Sequence, residues 1–309
     1  MESVVIGIVQ AVLVILIAPL VSGVGRWMRA KVHTRKGPSI FQDYYDLAKL
    51  FKRDDITTKD RTFVSRFMPA LFFGVMLLLS LGIPLFTQES PVPLMGDVIL
   101  ILYLMALSRF FFSLAGIDTS QSYAGYGSIR ELMVGTLVEP SMILALFVAA
   151  LSCGSTNVGD MGQAIAGVTA TSPVAVIVAG ITFALACYVE LGKLPYDMAE
   201  AEQELQEGVM QEYSGPSLAL MKMAMSMKQI IVVSWFLAIF LPFGAAVDLS
   251  LGGIALGIVV WFVKIAVVFF VCALVENAVC RVRYKYMGRQ TWMIVGLGAL
   301  AFVFCALGI

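Results

Sequence analysis

Apolar residues gather into eight long runs, at about 3–25, 67–87, 97–116, 132–153, 173–192, 217–242, 252–275 and 290–308, with polar stretches between them. Each run is close to the ~20 residues with which a helix crosses the hydrocarbon core of a bilayer. Inside that core only helices and closed barrels satisfy every backbone N–H and C=O. No run alternates apolar and polar positions, as barrel strands do. The pattern therefore predicts an all-α polytopic membrane protein of about eight spans, one integral membrane domain over 1–309. The first run lacks a basic leader and a small-residue cleavage site. It reads as a retained span rather than a signal peptide.

Composition sharpens this picture. Of 309 residues 60% are hydrophobic and 14% charged, with mean hydropathy +0.90, against roughly 45–50% apolar and 25% charged in soluble domains. Lys plus Arg and Asp plus Glu balance at 21 each, so no basic surplus points to nucleic acid. His33 is the single histidine and cannot by itself hold a haem between two helices. Cys153, Cys187, Cys272, Cys280 and Cys305 are scattered, with no C-x-x-C pair for zinc or an iron–sulfur cluster. The chain is expected to bind no metal or redox cofactor of its own.

Cations set the orientation, because cytoplasmic loops collect Lys and Arg. Eleven lie in 26–66, and Arg130, Lys193, Lys222, Lys228, Arg281, Arg283, Lys285 and Arg289 follow odd-numbered spans; only Arg109 and Lys264 fall within spans. The loops around 88–96, 154–172 and 243–251 contain none. This places both termini outside and the long charged loops in the cytoplasm, at 26–66, 117–131, 193–216 and 276–289. Two of them, 26–66 and 193–216, are patterned enough to suggest docking of a soluble partner.

An ionisable group at membrane depth costs at least ~2.5–3.5 kcal/mol, so it usually faces a partner or a polar path. Glu139 beside Pro140, Glu190 at the end of the fifth span and Lys264 midway along the seventh are candidates for such a path. Arg109 and Glu276 read more simply as side chains reaching the interface. After the fifth span, ELGKLPYDMAEAEQELQEG sets Asp197, Glu200, Glu204 and Glu207 three and four residues apart, so a helix would place them on one face. Like charges so arranged raise one another's pKa and can exchange protons. A hydrolase reading of the acids or of Ser214 fails, since no histidine base, H-E-x-x-H or phosphate loop accompanies them.

The stretch ELGKLPYDMAEAEQELQEGVMQEYSG resembles the signature loop of the membrane subunit called subunit 1 of respiratory complex I, approximately E-T-N-R-x-P-F-D-L-x-E-A-E-x-E-L and ending in E-Y-S-G. Glu190, Pro195, Asp197, Glu200, Ala201, Glu202, Glu204, Leu205, Glu212, Tyr213, Ser214 and Gly215 match in place. The block HTRKGPSIFQDYYDLAKLFKRDD is similar to the family's first cytoplasmic loop at Arg35, Gly37, Pro38, Asp46, Lys49 and Leu50. Arg130 with Glu139, and Lys264 with Arg281, Arg283 and Tyr284, also fit.

The departures choose a branch. The loop lacks T-N-R, the first loop reads QDYYDLAKLFKR, and Glu276 stands where complex I tends to place Arg. These features resemble the homologous subunit of energy-conserving NiFe hydrogenases, of the formate hydrogenlyase and hydrogenase-4 type.

The resemblance implies a cell-membrane subunit that anchors a soluble arm on the cytoplasmic side and takes part in proton or ion translocation. The NiFe centre and iron–sulfur clusters would belong to partners: hydrogenase large and small subunits and iron–sulfur proteins, with antiporter-like subunits beside this chain in the bilayer. The implied proton path runs through Glu139, Glu190, Asp197, Glu200, Glu204 and Lys264, tuned by Arg130 and Lys193. Docking would use Arg35, Lys36, Asp43, Asp46, Lys49, Lys52, Glu202, Glu207 and Glu212. The alternatives are a quinone-site subunit of complex I and a structural anchor or carrier without a redox partner.

Overall fold

The computed structural model describes residues 2–57, 61–199, 201–247 and 250–309, the side chains of Glu2, Glu202, Gln203 and Leu251 aside. Among them the chain forms the helices α1 (Glu2–Val32), α2 (Gln42–Phe51), α3 (Phe63–Gly82), α4 (Val98–Asp118), α5 (Ser122–Cys153), α6 (Val158–Ala166), α7 (Pro173–Glu190), α8 (Glu202–Leu205), α9 (Gly215–Phe240), α10 (Leu251–Ala278) and α11 (Tyr284–Leu307). Eight are long and apolar enough to span a membrane, one for each apolar run. The chain is an all-helical, multi-pass membrane protein.

Local chemistry sets several boundaries. The side chains of Thr62, Asp97, Asn157 and Ser250 accept from the first free N–H groups of α3, α4, α6 and α10. Pro173 opens α7, where a missing N–H costs nothing, and Gly154 closes α5 at φ +73°.

Packing grades from the centre outward. In the apolar stretch of α9, 61% of residues are buried, against 28% in that of α10 and 22% in that of α11. Phe183 of α7 meets Trp235 of α9 edge to face at 5.2 Å between ring centroids, with both side chains fully buried. Thus α9 is surrounded by protein, while α10 and α11 turn most of their surface outward.

Two loop expectations are corrected. The fourth apolar run continues backward as helix to Ser122, so the loop expected at 117–131 shrinks to a turn and Arg130 sits on α5. The loop expected at 276–289 narrows to 279–283 in the same way, leaving Lys285 and Arg289 on α11. Hydropathy marks the stretch that lipid solvates, whereas helical hydrogen bonding runs on past it. Lys222 and Lys228, expected outside the spans, both lie within α9.

The acidic helix expected over 197–207 does not form. The described backbone has one helical turn, Glu202–Leu205, then Gln206 and Glu207 at positive φ and a 3₁₀ turn, Gly208–Glu212. Carboxylates three and four residues apart repel along a helix. Here the loop instead folds under the bundle, where Gly208 lies against Ala199 and against Gly127 of α5. A Cβ at Gly208 would strike the Ala199 carbonyl.

Candidate functional site

Among the described residues, the candidate site is a network of five charged side chains where α4, α5, α7 and α9 meet. Arg109, near the middle of α4, is buried and binds both Glu139 of α5 and Glu190 at the end of α7. Lys228, near the middle of α9, is buried too; its Nζ lies 2.8 Å from Glu190 and 3.7 Å from Glu131. Arg109 Nε stands 4.0 Å from Glu131, which completes the ring. Each buried charge has an opposite charge beside it, the condition under which such groups are retained inside a membrane.

The backbone makes room for this. Glu131, Gly135 and Glu139 are four residues apart on α5 and so share one face. At Gly135 a Cβ would strike the Arg109 guanidinium. The absent side chain is the slot through which Arg109 crosses α5. Glu139 remains the most open member, its side chain 36% exposed against 3% for Glu190.

Water has space at the network. A cavity of about 40 Å³ is walled by Arg109, Glu131, Glu190 and Lys228, and a buried water needs only ~10–15 Å³. Its remaining wall includes Gly192, Asp197, Met225 and Gln229, which also line a cavity of about 610 Å³ bounded by α1, α2, α9 and the loop after α7. The two cavities are neighbours across that shared wall.

At the inner face, the long loop is held charge by charge. Asp197 pairs with Arg281 at 2.8 Å, Glu204 with Arg130 at 2.7 Å, and Glu207 stands 3.9 Å from Lys222. The hydrogen bond from Arg130, which also lies over the Tyr284 ring, holds the Glu204 carboxyl below its ordinary range. Glu276 is buried, pairs with Arg29 and has Lys193 at 3.9 Å. Tyr213 donates to the Ser65 carbonyl at 2.9 Å with Arg61 over its ring, and burial raises its hydroxyl pKa.

The structure therefore brings together only part of the expected path. Glu139 and Glu190 share the network; Asp197 borders the adjoining cavity; Glu204 is outside it, and Glu200 lies outside the described residues. Lys264 stands apart, its Nζ donating to the Leu241 carbonyl at 2.5 Å where α9 ends. Arg109 and Glu276 do not reach outward to the interface; both are buried ion-pair members. Sequence reasoning missed Glu131 and Lys228. The signals were present: an E-x-x-x-G-x-x-x-E spacing on one helix face, and a lysine eleven residues into an apolar run.

The described side chains among those expected to dock a partner differ in their surroundings. Asp43 pairs with Arg26, and Asp46 lines the large cavity, whereas Arg35, Lys36, Lys49 and Lys52 are exposed. Glu207 and Glu212 are half-buried on the long loop, and the Glu202 side chain lies outside the described residues.

Comparison with known proteins agrees with this architecture. A family model described as NADH dehydrogenase matches residues 4–307. Hydrogenase-4 component C of Escherichia coli K12 is 42% identical over 306 residues, covering 99% of this chain and 97% of that protein. Formate hydrogenlyase subunit 4 of the same organism is 40% identical over 301 residues, covering 97% and 98%. The corresponding NADH-quinone oxidoreductase subunit of Rhodospirillum rubrum is more distant, at 28% over 286 residues, 89% and 83% covered. A chain of the membrane-bound sulfane sulfur reductase, an archaeal respiratory membrane complex, shares the fold with TM-score 0.86 at 20% identity, covering 99% of this chain and all of that one. On the family match and these identities, the chain belongs to the NADH dehydrogenase family, nearer to its hydrogenase-4 and formate hydrogenlyase members than to the quinone oxidoreductase subunit.

Proposed function

We propose that this chain is the membrane anchor and ion-translocation subunit of a multisubunit NiFe hydrogenase in the cell membrane. It would couple electron transfer and hydrogen chemistry in a soluble arm to ion movement in the bilayer. The buried network carries the reading. Glu131, Glu139 and Glu190 against Arg109 and Lys228 leave one net negative charge when all are ionised. One proton neutralises the set. Arg109 keeps its own proton, so it orients Glu139 and Glu190 while the carboxylates exchange theirs.

Entry would run from the large cavity past Asp197 into the small one, then to Glu190 and across Arg109 to Glu139. Lys264 has no place in this route. Lys193 and Arg130 act at a distance, through Glu276 and Glu204. The NiFe large and small subunits and the iron–sulfur proteins, with their metal centres, would cover the loop after α7 on the cytoplasmic side, with Glu207 and Glu212 at its rim. Antiporter-like subunits would adjoin laterally. The identities of 42% and 40% to the hydrogenase-type relatives favour this over a quinone-site subunit.

Glu139→Gln tests it, because Gln keeps shape and hydrogen bonding and removes the titrating group. The complex should assemble and oxidise hydrogen with an artificial dye at near-normal rate. Coupled ion movement in vesicles should fall severely, and Glu139→Asp should retain part of it. Normal assembly with normal ion movement in the Gln variant would sink the proposal.

A further inference from the structure

The helix α2 separates its charges by sign. Its acids, Asp43 and Asp46, turn with Leu47 and Leu50 toward α1 and line the large cavity, and Asp43 is held by Arg26. Its outward side carries Tyr45, 65% exposed, with Lys49 and then Lys52; Phe41, just before the helix, is 55% exposed. Arg35 and Lys36 are exposed on the approach, and Lys31 lies over the Trp27 ring at 5.6 Å. This outward surface holds aromatic rings and cations, and the carboxylates of the same helix are withdrawn from it.

Its depth matters as much as its chemistry. The hydroxyl of Tyr44 donates to the Leu16 carbonyl of α1, Ile40 packs on Gly23, and Asp43 meets Arg26. The apolar run of α1 ends near residue 25, so the contacts at Gly23 and Arg26 hold the start of α2 near the level where acyl chains give way to headgroups. From there α2 reaches α9 across the cavity mouth. A short amphipathic helix at this level, with rings and lysines outward, has the composition of an in-plane interfacial helix.

We propose that the outward face of α2 binds the headgroups of anionic glycerophospholipids in the inner leaflet, through Lys49 and Lys52 with Phe41 and Tyr45 among the upper acyl carbons. The helix is then the lipid-side wall of the large polar cavity. This goes beyond the hydrogenase reading and does not depend on it. It also assigns Lys49 and Lys52 to lipid rather than to the soluble arm.

The test uses the intact membrane complex with a photoreactive benzoylphenylalanine replacing Tyr45, illuminated in native membranes and analysed by mass spectrometry. The adducts should be phospholipids, enriched in phosphatidylglycerol or cardiolipin over phosphatidylethanolamine. In Lys49→Gln/Lys52→Gln the enrichment should fall about fivefold for each lysine removed, while the soluble arm stays membrane-bound. Phe41 is a second position for the probe if the first disturbs assembly. An adduct to a soluble subunit would overturn the proposal in favour of protein docking. Absence of any lipid adduct, or an enrichment unchanged in the double variant, would also overturn it. Release of the arm by the double variant would do the same, whereas loss of ion coupling in Glu139→Gln bears only on the network.

Discussion

The charges at the centre of the bundle and those under its inner face are arranged differently. In the centre each cation serves more than one carboxylate: Arg109 holds Glu139 and Glu190, and Lys228 stands between Glu190 and Glu131. Under the inner face Asp197 meets Arg281, Glu204 meets Arg130 and Glu207 meets Lys222, in pairs that share no member. Where water is near, solvation completes each group and pairs remain independent. Where it is scarce, every charge must find its stabilisation from another side chain, so the groups become mutually dependent. Mutations should therefore spread through the first region and stay local in the second.

The strongest way to break this contrast is to remove the central cation. Arg109→Gln strips Glu139 of the cation it is paired with and leaves Lys228 as the cation beside Glu190 and Glu131, a loss of about 3–5 kcal/mol for such a broken pair. The amount of assembled complex in membranes should drop sharply, and adding Glu190→Gln should restore part of it. A complex assembled at normal levels with Arg109→Gln alone would mean that the network is not mutually dependent.

A smaller effect should come from Gly135→Ala, whose new methyl occupies the space of the guanidinium. Overpacking of this kind costs about 1–3 kcal/mol, seen as a lowered melting temperature of the purified complex. Arg109→Lys, with a slimmer head, should recover stability in the Gly135→Ala background while costing stability in the parent.

At the inner face the expected effects shrink. Asp197→Asn removes one partly exposed pair with Arg281, worth about 0.2–1 kcal/mol. Global stability should barely change, while hydrogen exchange rises in 194–199 and 279–283. Exchange rising across α4 and α5 would contradict the local character of that pair.

The slightest change is a pH effect. The Glu204 carboxyl is held below its ordinary value by the Arg130 hydrogen bond. Its pair therefore contributes fully above the unfolded value, about 4.3, and is lost as pH falls through the lower folded one. Pepsin cleavage near Leu205 should rise only in that acid window, and Arg130→Gln should move the rise to higher pH.

What the chain by itself determined is the architecture and much of its chemistry. Apolar runs long enough to cross lipid have no alternative to helix, so all eight spans were legible, and the loop motifs were enough to indicate the family. Glu139 and Glu190 were recognisable because charges at that depth demand partners. Which partners they have was decided by the tertiary structure. The slot at Gly135, and the depth at which α4 and α9 set Arg109 and Lys228, exist only once four helices pack. The same holds for the loop after α7, where local spacing suggested an acidic helix. Cations 74 to 84 residues away in sequence, Arg130 and Arg281, took the carboxylates one by one instead. Periodicity records what each segment must bury, whereas the pairing of buried charges depends on distances between segments that no local pattern contains.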